Sequence, residues 1–187
     1  RYFRATLASG RVDAEQVVPL IREAGRKIES DYELGHVLAT VDGAHLASPA
    51  VQAAFVEAAG SIESDYEIRK VLSKAITRRP PSAALALRLL DAAGSIESDY
   101  ELSGWLRELI ATLDPKRPAA DVVAGLLETT GSIESDHELA KVLSALVERG
   151  LVTRQHEPAF RRAMDQIESR YERERVTRTF EQRAGES

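Results

Sequence analysis

The sequence contains no cysteine, so disulfides, thiolate metal sites and cysteine nucleophiles are all excluded, although the compartment is left open. Aromatic residues make up only 5% of the chain, which counts against an all-β domain. No apolar run approaches the ~20 residues needed to span a bilayer, and Arg1-Tyr2-Phe3-Arg4 lacks the apolar core of a signal peptide. There is no excess of positive charge. A net charge of −5 and a pI near 5.5 argue against a generic polyanion binder, whose affinity comes from clustered Lys and Arg. Neither a glycine-rich phosphate loop nor a nucleophile elbow is present. The chain begins without Met and reads as a soluble segment of a longer protein, cytoplasmic or extracytoplasmic according to its parent.

What is present is a repeat. Ile28-Glu29-Ser30-Asp31-Tyr32 recurs as Ile62-Glu63-Ser64-Asp65-Tyr66, Ile96-Glu97-Ser98-Asp99-Tyr100, Ile133-Glu134-Ser135-Asp136-His137 and Ile167-Glu168-Ser169-Arg170-Tyr171, at steps of 34, 34, 37 and 34 residues. Self-similarity at such a period marks a solenoid or array. After each motif runs an apolar stripe at steps of three and four, for example Ile68, Val71, Leu72, Ala75 and Ile76, and before most lies an Ala-rich stripe such as Val51, Phe55, Ala58, Ala59 and Ile62. Each stripe is one buried helix face, so each repeat predicts an A helix, the motif, and a B helix. Ala, Leu, Glu and Arg are abundant, which favours helix.

The motif reads as punctuation between the helices. Ser30 with Glu33, Ser64 with Glu67, Ser98 with Glu101, Ser135 with Glu138 and Ser169 with Glu172 fit the capping box, and Asp in the first turn answers the helix dipole. Gly25, Gly60, Gly94 and Gly131 are expected to close the A helices. Breakers fall between repeats at Asp42-Gly43, Pro80-Pro81, Asp114-Pro115 with Pro118, and Gly150 through Pro158. Ser48 before Pro49 suits an N-cap, whereas Asp13 is a less clean one because Pro19 should make its helix bend or start late. The 37-residue step is expected to lengthen the third B helix by almost a turn, through Leu113. Trp105, in the slot of Val37, Val71 and Val142, reads as a core residue.

These features predict one all-α domain over 1–187, a right-handed α-solenoid of about five 34-residue antiparallel helix pairs. Residues 1–12 would be the end of a preceding repeat, with Tyr2 to Ala8 as its B-helix tail. Full repeats would occupy 13–43, 44–79, 80–114 and 115–150, and 151–187 a C-terminal capping repeat made polar by Arg170, Arg173 and Thr177.

The Ser-Asp-Tyr-Glu strings, with Arg69-Lys70-Val71-Leu72 and Ala140-Lys141-Val142-Leu143 behind them, resemble helical repeats in the sensor-like segments of bacterial membrane metallopeptidases of the β-lactam antirepressor type. The resemblance concerns the repeat region only. The zinc-binding His-Glu-x-x-His of that peptidase has no counterpart, so no catalytic residue carries over. The units are also similar to HEAT-type helix pairs, which implies a curved superhelix with B helices toward its concave side. A tetratricopeptide array shares the 34-residue period, but its Trp, Leu-Gly and Tyr pattern is missing.

Stacking would align the motifs into rows: Glu29, Glu63, Glu97 and Glu134; Asp31, Asp65, Asp99 and Asp136; and Tyr32, Tyr66, Tyr100, His137 and Tyr171. Two readings compete. The rows either take a basic or extended peptide by repeated contacts, or serve folding, with Ser and Glu as caps, Asp at the dipole and Tyr packed between neighbours. The capping chemistry favours the second. Tyr32, Tyr66, Tyr100 and His137, with Asp31, Asp65, Asp99 and Asp136, are nevertheless the candidate partner-binding residues.

Glu-Ser-Asp supplies too few oxygens for calcium, and His36, His45, His137 and His156 fall in different repeats without metal-ligand spacing. The arginines at 161, 162, 170, 173, 175, 178 and 183 are interleaved with Asp165, Glu168, Glu172, Glu174 and Glu181, the pattern of a solvated helix with internal ion pairs. The expectation is a non-enzymatic scaffold for a protein or peptide partner, a module of a larger bacterial protein, without metal, cofactor, nucleic acid or membrane contact. Alternatives are a structural spacer or sensor stalk, and a HEAT-like nucleic-acid-binding or enzyme domain.

Overall fold

The computed structural model describes residues 13–77, 80–117 and 119–185, and every α-helix among them belongs to a repeating series of ten. The expected B-helix tail at Tyr2 to Ala8 and the breaker Pro118 lie outside the described residues. The chain divides into two compact units, 1–96 and 97–187, with the division inside the third motif.

In the first unit α1 (Ala14–Lys27), α3 (Pro49–Ala59) and α5 (Ala83–Ala93) are A helices, and α2 (Asp31–Leu38) and α4 (Asp65–Thr77) are B helices. A packs on A, α1 against α3 and α3 against α5, while α2 packs on α4. The buried stripes are the expected ones: Val51, Phe55 and Ala59 on α3, and Ile68, Val71 and Leu72 on α4. In the second unit α6 (Asp99–Thr112), α8 (Asp136–Glu148) and α10 (Arg170–Gly185) are B helices in sequential contact, and α7 (Ala120–Thr129) packs on α9 (Glu157–Asp165). Leu102, Trp105, Leu106, Leu139, Val142 and Leu143 fill the core between them. Trp105 is wholly buried, and its indole N–H has no hydrogen-bond partner among the described residues.

Several local expectations are corrected. Asp13 makes a complete reciprocal capping box with Gln16, so α1 starts at Ala14 without delay despite Pro19. Ser48 makes no side-chain cap bond, and the start of α3 rests on Pro49 at its first turn. Gly60 and Gly94 do close their helices, but α1 runs past Gly25 to Lys27. A Cβ at Gly25 would stand 3.0 Å from that of Ala58, so this glycine permits the close approach of α1 and α3. The 37-residue step does not lengthen α6 by a turn. At 14 residues it exceeds α4 and α8, at 13 each, by one, and the other extra residues fall in the connection to α7. Gly150, at φ +73°, supplies the left-handed residue that ends α8.

Candidate partner-binding surface

Each B helix begins at a motif Ser. The Ser hydroxyl accepts from the amide of the Glu three residues on, at 3.4 Å in all five copies: Ser30–Glu33, Ser64–Glu67, Ser98–Glu101, Ser135–Glu138 and Ser169–Glu172. That separation is long for such a bond, so the cap is weak. The return arm of the expected box is replaced at three junctions. The Ser64 amide donates to Asp31 of the preceding repeat, Ser135 to Asp99 and Ser169 to Asp136, each at 2.7 Å. A short bond to a carboxylate is the stronger partner, and it has already taken the donor that the Glu would need.

In the second unit the same carboxylates hold another amide each, Glu134 to Asp99 at 3.2 Å and Glu168 to Asp136 at 2.9 Å. One Asp therefore serves two helices, at the positive end of its own dipole and across the start of the next helix. Of the candidate binding residues, Asp31, Asp99 and Asp136 are thus engaged as staples between repeats. Asp65 occupies the same first-turn position in α4.

Freed from capping, the third-residue Glu leans back on the preceding B helix. Glu138 is buried, accepts from the Ser103 hydroxyl of α6, and is bonded by Lys141 at 3.0 Å. Burial is the largest effect on its carboxyl and pushes it up, but the hydrogen bonds from Ser103 and Lys141, with the charges of Lys141 and His137, together hold it below the ordinary carboxylate value. Glu172 is held between His137 of the preceding repeat, whose Nδ1–H donates at 2.9 Å, and Arg175, also at 2.9 Å. In the first unit Glu67 pairs with Lys70 at 3.0 Å, beside Gly35, where a Cβ would come within 3.1 Å of the carboxylate.

The tyrosines of the aromatic row face solvent, whereas His137 joins the network through Glu172. Tyr32, Tyr66, Tyr100 and Tyr171 are 55, 57, 62 and 68% exposed, so the expectation that they pack between neighbours fails. Three of these rings carry a cation on the face instead. Lys70 lies 5.0 Å from the ring centre of Tyr66 and 5.7 Å from that of Tyr32, and Lys141 lies 6.0 Å from that of Tyr100. The Tyr32 and His36 rings meet edge to face, with their centroids 4.5 Å apart. The hydrogen bond with Glu67 raises the pKa of Lys70, burial works against it, and the Glu67 charge and the two tyrosines add to the rise.

Lys70 and Lys141 were not among the sequence candidates. The signal for them was available: both fall six positions into their B helices, with a Glu three residues before.

Elsewhere the arginines pair as expected of a solvated helix. Arg161 bonds Glu157 at 2.7 Å, Arg170 bonds Glu174 at 2.7 Å, and Arg178 reaches the Glu174 carbonyl. Arg173 donates to the Ile167 carbonyl. His156 is buried, with Nε2 3.2 Å from the Ala120 carbonyl oxygen. Among the described residues no group of three or more His, Cys, Asp or Glu is arranged to hold a metal ion, and no helix is long and apolar enough to cross a membrane. Comparison with family models, with curated proteins and with solved structures gave no match to this chain.

Proposed function

We propose that this chain is a non-catalytic helical-repeat scaffold that binds a protein or peptide partner through the tyrosines of its motifs. The observation that carries the reading is the exposure of Tyr32, Tyr66, Tyr100 and Tyr171 at one repeated position. Folding accounts for the Ser as a cap, the Asp as a staple and the inner Glu as an ion-pair partner, but it gives a half-exposed aromatic ring no comparable task. Rigid aromatics on a stiff support are efficient binding elements, because they bury large area at little entropic cost. The repeated contacts of A helix on A helix and B helix on B helix support a HEAT-type arrangement, and the resemblance to antirepressor sensor segments suggests service as one module of a larger bacterial protein.

The test is a displayed peptide library panned on the whole chain, with the Tyr32→Ala, Tyr66→Ala, Tyr100→Ala triple variant as counter-target after its helicity has been checked. Peptides retained at least about tenfold better by the parent chain are expected. A library that yields no tyrosine-dependent peptide would remove the binding role and leave the spacer reading.

A further inference from the structure

In the first unit a cavity of about 310 Å³ lies among the turn before α3, the last turn of α4 and the start of α5. One of its lining residues is out of pattern. Gln52, only 4% exposed, holds the A-helix slot that Val18, Ala86 and Val123 fill in other repeats, each ten residues before its motif Ile. Its Nε2 donates to the Leu46 carbonyl at 2.9 Å, and a carbonyl can only accept, so the nitrogen must be the end that faces the turn. The other end, Oε1, has no hydrogen-bond partner among the described residues, yet it is not one of the unbonded atoms shut off from solvent. Because the side chain lines the cavity, that is where this acceptor opens. An unbonded amide oxygen on a buried side chain is a cost that a ligand N–H would remove.

The rest of the lining is cationic and apolar, in a chain whose net charge is −5. No carboxylate is found among the described lining residues, and Lys74 stands exposed there without an ion pair to any of the described residues. Ser82 caps α5 by accepting from the Leu85 amide at 3.2 Å, which leaves its own hydroxyl proton to donate at the positive end of the helix dipole. Leu46, Ala75 and Leu85 supply apolar wall.

We infer that this cavity binds the carboxylate form of an N-acylated apolar amino acid, free or as the last residue of a peptide. The amide N–H of such a group answers Gln52 Oε1, its carboxylate answers Lys74 and the Ser82 hydroxyl, and its side chain covers the apolar wall. Each part of the ligand thus meets a group that the fold leaves unmet. The volume sets the size, because it stands at the small end of ligand pockets and suits one residue, with any preceding chain outside. The site is separate from the tyrosines and does not depend on the partner reading above.

The experiment titrates the isotope-labelled full chain with N-acetyl-leucine and follows the NMR signals of the Gln52 side-chain amide. Binding at about 1 mM is expected for a probe of this size. N-acetyl-leucinamide, which lacks the carboxylate, should bind about tenfold more weakly, and isocaproate, which lacks the N–H, about fivefold. Lys74→Gln, at an exposed position, should remove the advantage of the acid over the amide, and Lys116→Gln, exposed in the other unit, should leave it intact. Equal binding of acid and amide by the parent chain would overturn the inference, as would Gln52 signals that no probe moves at about ten times the expected concentration. An acetylated tripeptide ending in Leu separates the two sources: tighter binding than N-acetyl-leucine identifies a peptide terminus, and equal or weaker binding a free acylated amino acid.

Discussion

The junction between α2 and α4 and the junction between α6 and α8 are built from the same five-residue motif, yet they are locked to different extents. At the first, Asp31 accepts the Ser64 amide alone, and the returning Glu67 faces Gly35, which offers it nothing to bond. At the second, Asp99 accepts both Ser135 and Glu134, and Glu138 enters a buried site completed by the Ser103 hydroxyl and Lys141. The constant element is the short bond from the Ser amide to the preceding Asp. The variable element is the fifth residue of the B helix, Gly35 in one case and Ser103 in the other. Joining two repeats therefore takes one conserved-geometry staple, and the neighbouring position adjusts how firmly the joint is held.

The largest effect should come from cutting the staples. Asp99→Ala leaves the Ser135 and Glu134 amides without their acceptor and should cost about 2–3 kcal/mol, whereas Asp31→Ala strands one amide and should cost about 1.5 kcal/mol. Because the chain has two compact units, hydrogen exchange at the Ser135 and Ser64 amides is the better measurement than a single melt. Equal losses of protection would show that the second bond adds nothing, and the contrast between the junctions would collapse to the Glu site alone.

The repeat and its helices were legible in the sequence because both are periodic and local: the stripe Ile68, Val71, Leu72, Ala75, Ile76 is buried as its spacing requires. The staple was not, because Asp31 reaches Ser64, 33 residues away, and nothing local distinguishes an Asp that only answers a dipole from one that also bridges helices. The Ser arm of the capping box forms in all five motifs, and its return arm is missing at three junctions for the same reason: it is a valid local solution that a stronger, non-local acceptor had displaced. One trace did exist. The four motifs followed by another in this sequence carry Asp, and the fifth carries Arg170. The exposure of the tyrosines was misread because an aromatic at a regular position usually signals packing, and here the B-helix cores are filled without them.

A smaller effect separates the two junctions by pH. Glu138 sits below the ordinary carboxylate value, so its contribution is complete above about pH 4.3 and is lost as the pH falls through its lowered folded-state value. Lys70 is shifted upward, so its contribution is complete below about pH 10.4 and is lost as the pH rises through its raised value. The second unit should therefore lose the Glu138 contribution in acid, over a range in which Lys70 keeps its own. Glu138→Gln should cost about 1 kcal/mol at neutral pH and nothing once the wild-type carboxyl is protonated. Denaturation followed by unit-specific exchange, from pH 3 to 7, checks this. A Glu138→Gln penalty that does not change with pH would mean that the charge on Glu138 contributes nothing to the joint.

The smallest effect is a gain. Gly35→Ser gives the first junction the residue of the second, and three consequences can be weighed. Replacing a helical glycine by Ser recovers about 0.5 kcal/mol of propensity. The new Cβ meets Glu67 Oε2 at 3.1 Å, which is tight, but the neighbour is the far end of a flexible side chain and can give way by a few tenths of an ångström. The hydroxyl then stands where Ser103 stands toward Glu138 and can donate to Glu67, for a net gain of about 1 kcal/mol in all. Gly35→Ala separates the parts, since Ala has the better propensity and the same Cβ but no donor. If Ser equals or exceeds Ala, the hydroxyl has made up the propensity difference and the Ser103–Glu138 contact is transferable between repeats. If Ala is clearly the more stable, the hydroxyl is idle at this junction, and the tighter joint at α6 and α8 depends on burial of Glu138 that one substitution cannot reproduce.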